Sequence, residues 1–112
     1  MKNFEEVLSA NYKTNKSILC IGLDPDLDLM PIQDITKFNK KIIDSTKEFT
    51  CAYKPNLSFY ESLGYLGIKA LENTINHIRK VAPNKLIIGD GKRGDIGSSN
   101  IKYAQAFFEK WG

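Results

Sequence analysis

Cysteine and histidine are scarce: Cys20, Cys51 and His77 are the only ones in 112 residues. Two thiols cannot form the framework of a disulfide-rich domain, and without neighbouring histidines they make a poor metal site. Each lies in an apolar, strand-like run, so both are expected to be buried, reduced thiols in a cytoplasmic protein. Ser45 and Ser58 have no adjacent base or triad partner, which leaves nucleophilic catalysis unsupported. His77 falls on a helical stretch and is expected at the surface. No window approaches the ~20 apolar residues of a membrane span, and the polar, acidic start Met1 to Val7 is unlike a signal peptide. Basic residues outnumber acidic ones by 16 to 13, but the lysines are scattered among acids, as on solvated helix faces. No basic block or basic-aromatic stripe marks a nucleic-acid surface.

What is present is the composition of one ordinary globular domain, 42% hydrophobic and 26% charged. Asn3 to about Lys13 predicts an amphipathic helix, with Phe4, Val7, Leu8 and Tyr12 near one face, that precedes the first strand as a lid or cap. Ser17 to Pro25 is a near-continuous apolar run, as in strands buried on both faces, and ends in Asp24. Asp34 or Thr36 can cap a helix running to about Phe49, with Phe38, Ile42, Ile43 and Thr46 inward. Thr50 to Asn56 reads as a short strand ending at Lys54 and Pro55. A helical turn around Phe59-Tyr60-Glu61 then leads, past Gly64 and Gly67, into a helix from about Ile68 to Val81. Lys85 to Ile88 is a third strand, and Ser98 or Ser99 begins a helix to Trp111, with Gly112 as its C-cap.

Strand-helix alternation of this kind specifies an α/β fold with a parallel sheet. The charges fall in one place in each unit: Asp24, Lys54, then Asp90 with Lys92 at the carboxyl ends of the strands, and Asp95 on the following turn. Asp90 and Lys92, two residues apart, are expected side by side on one strand face. Strand tips that gather charges at one rim favour a (β/α)8 barrel over an open, doubly wound sheet. Such barrels need eight units in ~250 residues, so an N-terminal helix with three βα units is expected to be the N-terminal portion of one truncated TIM-barrel domain.

Asp24, Lys54, Asp90, Lys92 and Asp95 would form an alternating array of carboxylates and ammoniums in a site with little water. Such an array could stabilise a carbanion and deliver a proton to it, with Lys92, flanked by two acids, as the donor. The competing account is a salt-bridge network that only neutralises charge. Gly89 to Gly94 also has the letters G-x-G-x-x-G, but Asp90 would face a pyrophosphate and the motif stands in the third unit instead of the first. The glycines are better explained as room beside the charges or as positive-φ turn positions. Tyr53, Phe59, Phe107, Phe108 and Trp111 are expected to pack the core or an interface.

Three segments together carry a resemblance. Cys20-Ile21-Gly22-Leu23-Asp24-Pro25-Asp26, Lys54-Pro55-Asn56 with Phe59-Tyr60-Glu61, and Asp90-Gly91-Lys92-Arg93-Gly94-Asp95-Ile96-Gly97-Ser98 resemble, in order and spacing, the N-terminal part of the orotidine 5'-phosphate decarboxylase family, in a bacterial-type branch. The resemblance implies decarboxylation of orotidine 5'-phosphate to UMP without metal or cofactor, in de novo pyrimidine synthesis. It implies that Lys92 protonates C6, that Asp90 lies near the departing carboxylate, and that Lys54 and Asp95 complete the charge network. Asp24 would bind the ribose hydroxyls. In a homodimer with shared sites, Asp95 would reach the neighbouring subunit's site, with the Ile96 backbone and the Ser99 hydroxyl beside it. The family's phosphate-gripping loops come from later barrel units, so this chain alone is expected to be inactive. Two alternatives remain: a magnesium-dependent sugar-phosphate decarboxylase or aldolase on the same barrel, which resembles a version with Glu at the position of Lys54, and a noncatalytic dimerising fragment.

Overall fold

The computed structural model describes residues 3–111. Helix α1 (Phe4–Asn15) opens with a capping box: Asn3 accepts from the Glu6 N–H at 2.9 Å while Glu6 accepts from the Asn3 N–H at 3.0 Å. Its apolar stripe is not what docks it, since Phe4 and Tyr12 are exposed. Asn11 is the buried residue, donating to the carbonyls of Val7 and Asn84, and Asn15 donates to Thr50. α1 is thereby pinned through polar contacts near the amino ends of the second and third strands.

Three parallel strands follow, β1 (Cys20–Leu23), β2 (Ala52–Pro55) and β3 (Leu86–Ile87), in the spatial order β1-β2-β3. Between β1 and β2 runs α2 (Ile35–Thr46), capped by Asp34, which accepts from Lys37 N–H at 3.0 Å. Thr36 lies inside the helix, and Phe49 lies beyond its end and is exposed. Between β2 and β3 come the short α3 (Leu57–Glu61) and the long α4 (Gly64–Val81). Register sets Ile21, Tyr53 and Ile87 in one row. This face packs on Ile43, Ile78 and Ala82, and a second cluster of Met30, Ile35, Leu57, Tyr60, Leu71 and Ile75 continues toward the carboxyl ends of the strands.

Several expectations change. β1 is four residues long and forms a sheet edge, so Ile18 and Leu19 are exposed and the strand is not buried on both faces. Cys20 is exposed for the same reason, whereas Cys51, next to the central strand, is buried. α4 begins at Gly64 and includes Gly67. A Cβ at Gly67 would lie 1.8 Å from the Tyr60 carbonyl, so this glycine lets α4 close on the end of α3. The last helix, α5 (Gly97–Ala104), starts one residue before Ser98, behind Ile96, with no side-chain cap. It continues as a π-helical segment, Gln105–Lys110, ahead of Trp111. The predicted cap at Gly112 lies outside the described residues. His77 is largely covered, with Nε2 2.8 Å from Asp44 Oδ1, and ties α4 to α2.

Among the described residues no helix is long and apolar enough to cross a membrane. Consecutive strand order suits the first half of a doubly wound sheet as well as part of a barrel, so the order alone does not separate the two.

Candidate active site

The β2 tip and the loop after β3 are joined through the backbone first. The third strand's pairing extends past β3 at alternate residues: Ile88 N–H donates to Tyr53 at 2.9 Å and Asp90 N–H to Pro55 at 3.0 Å. Leu57 N–H donates back to Asp90 at 3.1 Å. Pro55 has no N–H, so it takes part only through its carbonyl. Asp90 is thus held one step past the tip of β2, and its carboxylate meets two ammoniums. Lys54 Nζ lies 3.6 Å from Oδ2, and Lys92 Nζ donates to the same oxygen.

Lys92 reaches Asp90 by a turn of the chain and not by strand alternation. Its φ is +48°, a left-handed conformation that costs a residue with a Cβ roughly 1–2 kcal/mol. Nor are Gly89 and Gly91 there for the charges or for positive φ. A Cβ at Gly91 would lie 2.4 Å from the Phe107 ring and one at Gly89 3.0 Å from it, so both make room for Phe107. The wider π-helical turn carries that ring, which meets Trp111 edge-on at 5.4 Å.

The site is open to water, contrary to expectation. Side-chain exposure is 37% for Lys54, 24% for Asp90 and 64% for Lys92, because among the described residues only β2, the post-β3 loop and α5 wall it. Lys54, Asp90, Lys92 and Arg93 share a cleft of about 530 Å³ with Tyr103 and Phe107. A larger cavity of about 670 Å³, between α1 and the end of α4, includes none of the predicted site residues.

The hydrogen bond from Lys92 holds the Asp90 carboxyl below its ordinary value of 3.8; desolvation opposes it, and the charges of Lys92 and then Lys54 lower it further. A folded-state pKa below the unfolded one means that the pair's contribution is present above the unfolded value and lost as pH falls through the folded one. Titration of the Asp90 carboxyl carbon by NMR is therefore expected to give a midpoint below 3.8 that rises in Lys92→Ala. A midpoint unmoved by that substitution would contradict the pairing.

Asp24 and Asp95 stand apart from this trio. Gly22 is the register partner of Lys54, and Asp24 Oδ1 lies 3.6 Å from where a Cβ on Gly22 would be. Asp24 therefore occupies the same end of the sheet as Lys54, with no ion pair among the described residues. Asp95 is exposed and accepts from its neighbour Ile96 N–H at 2.7 Å, while its own N–H donates to Asn100 at 2.8 Å. Ile96 is 81% exposed and Ser99 half-buried, its N–H bonded to the Ile96 carbonyl. The structure thus unites Lys54, Asp90 and Lys92, and leaves Asp95 outside the array.

Tyr60, which the motif named without a role, and Asn39 and Thr74, which no motif named, support the tips from below. Tyr60, fully buried, donates to the Leu23 carbonyl at 2.8 Å, one residue before Asp24. Asn39 donates to Tyr60 Oη and to Thr74 Oγ1, each at 3.0 Å. Burial pushes the Tyr60 hydroxyl far above the ordinary phenol value, offset in part by its bond with Asn39, so it remains a neutral donor. A buried asparagine between Ile35 and Ile43 on the inward stripe of α2 was the available signal.

Residues 17–112 match the model of the Orotidine 5'-phosphate decarboxylase / HUMPS family. The chain belongs to this family. It is 46% identical to an orotidine 5'-phosphate decarboxylase of Bacteroides fragilis, a match covering 95% of the chain and 41% of that relative. It is 48% identical to one of Flavobacterium johnsoniae, covering 84% and 37%. The solved OMP decarboxylase of Leishmania donovani superposes with a TM-score of 0.82 at 31% identity, over 98% of the chain and 41% of that structure. The UMP synthase of the same organism gives 0.84 at 32%, over 99% and 23%. The three βα units are accordingly those of a TIM barrel, which decides against the doubly wound sheet. The chain spans about two fifths of the length of the curated decarboxylases it matches, 41% for the Bacteroides protein.

The magnesium-dependent alternative resembles a version with Glu at the position of Lys54, and here that position holds an ammonium. The Lys54 ammonium stands 3.6 Å from Asp90 where a metal would need an oxygen ligand.

Proposed function

We propose that this chain supplies the proton-donating part of an orotidine 5'-phosphate decarboxylase, a carboxy-lyase that forms UMP and carbon dioxide in the cytoplasm. The observation that carries this reading is the Lys54–Asp90–Lys92 cluster at the carboxyl end of parallel strands, within residues that match the family. Asp90 is ionised at neutral pH and directs both ammoniums toward its carboxylate. When carbon dioxide leaves C6 of the pyrimidine, the electron pair left on that carbon is stabilised by the Lys92 ammonium, which then transfers its proton to C6. No cofactor takes part in the reading. Asp24 binds the ribose hydroxyls from the β1 tip, with Tyr60 fixing the carbonyl that precedes it.

Asp95 and Ile96 lie on an exposed loop and Ser99 in the first turn of α5, which suits a role in the partner subunit's site of a homodimer and explains why Asp95 joins no cluster in a single chain. The substrate phosphate is placed on the later barrel units, outside residues 1–112, and these residues alone are expected not to turn over. The test is a substrate comparison on the protein expressed from its complete reading frame. Orotidine 5'-phosphate is expected to lose its pyrimidine absorbance as UMP forms, whereas 3-keto-L-gulonate 6-phosphate is expected to remain unchanged. Turnover of the sugar phosphate and not of the nucleotide would transfer the chain to the magnesium-dependent branch.

A further inference from the structure

Arg93 follows the proposed proton donor and touches none of the three site charges. Its guanidinium pairs with Glu61 at the end of α3 and lies over the Tyr103 ring of α5, 5.8 Å from the centroid. Both charged side chains are partly covered, Arg93 at 28% and Glu61 at 35% exposure. The loop from Gly89 to Ile96 contains no other side-chain ion pair to a neighbouring helix among the described residues. It also contains the chain's second non-glycine residue with positive φ, Lys92 itself. A left-handed lysine persists only where its surroundings hold it. On one side the backbone is fixed by Asp90 through Pro55 and Leu57; on the other the next residue is held by Glu61 and Tyr103.

We propose that Arg93 is a positioning residue: clamped between Glu61 and Tyr103, it holds the loop in the conformation that turns the Lys92 ammonium back onto Asp90. This rests on the reading of Lys92 as proton donor and adds to it a device that sets where the donor points. A planar guanidinium suits the task because it can pair with a carboxylate at its edge and stack on an aromatic ring with its face, which an ammonium cannot do equally well. Misplacement of a donor by an ångström weakens the chemical step more than it weakens binding.

The test uses Arg93→Met, Glu61→Gln, the double variant and the conservative Arg93→Lys in the protein expressed from its complete reading frame. Each single variant is expected to lower kcat by about 30-fold with KM within about threefold of the parent. The double variant is expected to be no worse than Arg93→Met, which already removes the pair with Glu61, and Arg93→Lys to fall between parent and Arg93→Met. A rise in KM with kcat intact would mean that Arg93 binds substrate and would overturn the proposal, as would losses that multiply in the double variant. Lys92→Ala assayed alongside separates the two levels. Full turnover by Lys92→Ala overturns the reading of the ammonium, whereas its loss together with undiminished kcat in Arg93→Met overturns the clamp alone.

Discussion

Lys92→Ala is expected to lower turnover of orotidine 5'-phosphate by about 10⁴-fold, near the upper end for a positioned acid or base, while affinity for UMP stays close to that of the parent. The two expectations follow from the same geometry. Lys92 is the more exposed of the two ammoniums on Asp90, so its removal takes away the proton donor without opening the core. Asp90 keeps Lys54 at 3.6 Å and its two backbone bonds, so the strand tips stay in place. Single-turnover kinetics with calorimetric titration of UMP measure both quantities. A variant that lost UMP affinity in proportion to turnover would assign Lys92 to binding.

The second large effect is on stability, in Tyr60→Phe. The hydroxyl it removes is both donor to the Leu23 carbonyl and acceptor from Asn39, in a site with no exposure. Phenylalanine fills the same space, so packing is kept while two buried groups lose their partner. Each such group costs about 1–3 kcal/mol, which gives about 3 kcal/mol for the pair. Asn39 already has one buried oxygen, Oδ1, with no hydrogen-bond partner among the described residues, so the site has little capacity to absorb a further loss. The expected result is a lower urea midpoint at unchanged m-value. A loss under about 0.5 kcal/mol would show that the hydroxyl does not anchor the β1 tip.

The positions of the charges were legible because strand ends are marked in the sequence by punctuation: Asp24 before Pro25, Lys54 before Pro55, and Asp90 between glycines. The fold class followed from the alternation of units, and the family from the three motifs taken together. What the sequence hid arises from contacts between elements. Strand alternation offered a simple reason for Lys92 to sit beside Asp90, but the pair forms across a left-handed turn that only the packed loop sustains. The glycines looked like space for charges, yet they accommodate Phe107, seventeen residues or so further on. β1 reads as a fully buried strand because its composition is apolar, but burial depends on what lies beside it, and among the described residues it is an edge. Asn39 and Thr74 gave no motif, and the motif containing Tyr60 did not show its partners, because a buried polar network is defined by three helices meeting, not by spacing along one.

Carbon dioxide release from carboxyl-labelled orotidine 5'-phosphate, measured in buffer containing a metal chelator, tests the central claim most directly. The protein expressed from its complete reading frame is expected to release the label and form UMP at a rate that chelation does not change. Release that appears only when magnesium is restored, or no release at all, would contradict the proposed role of the Lys54–Asp90–Lys92 cluster.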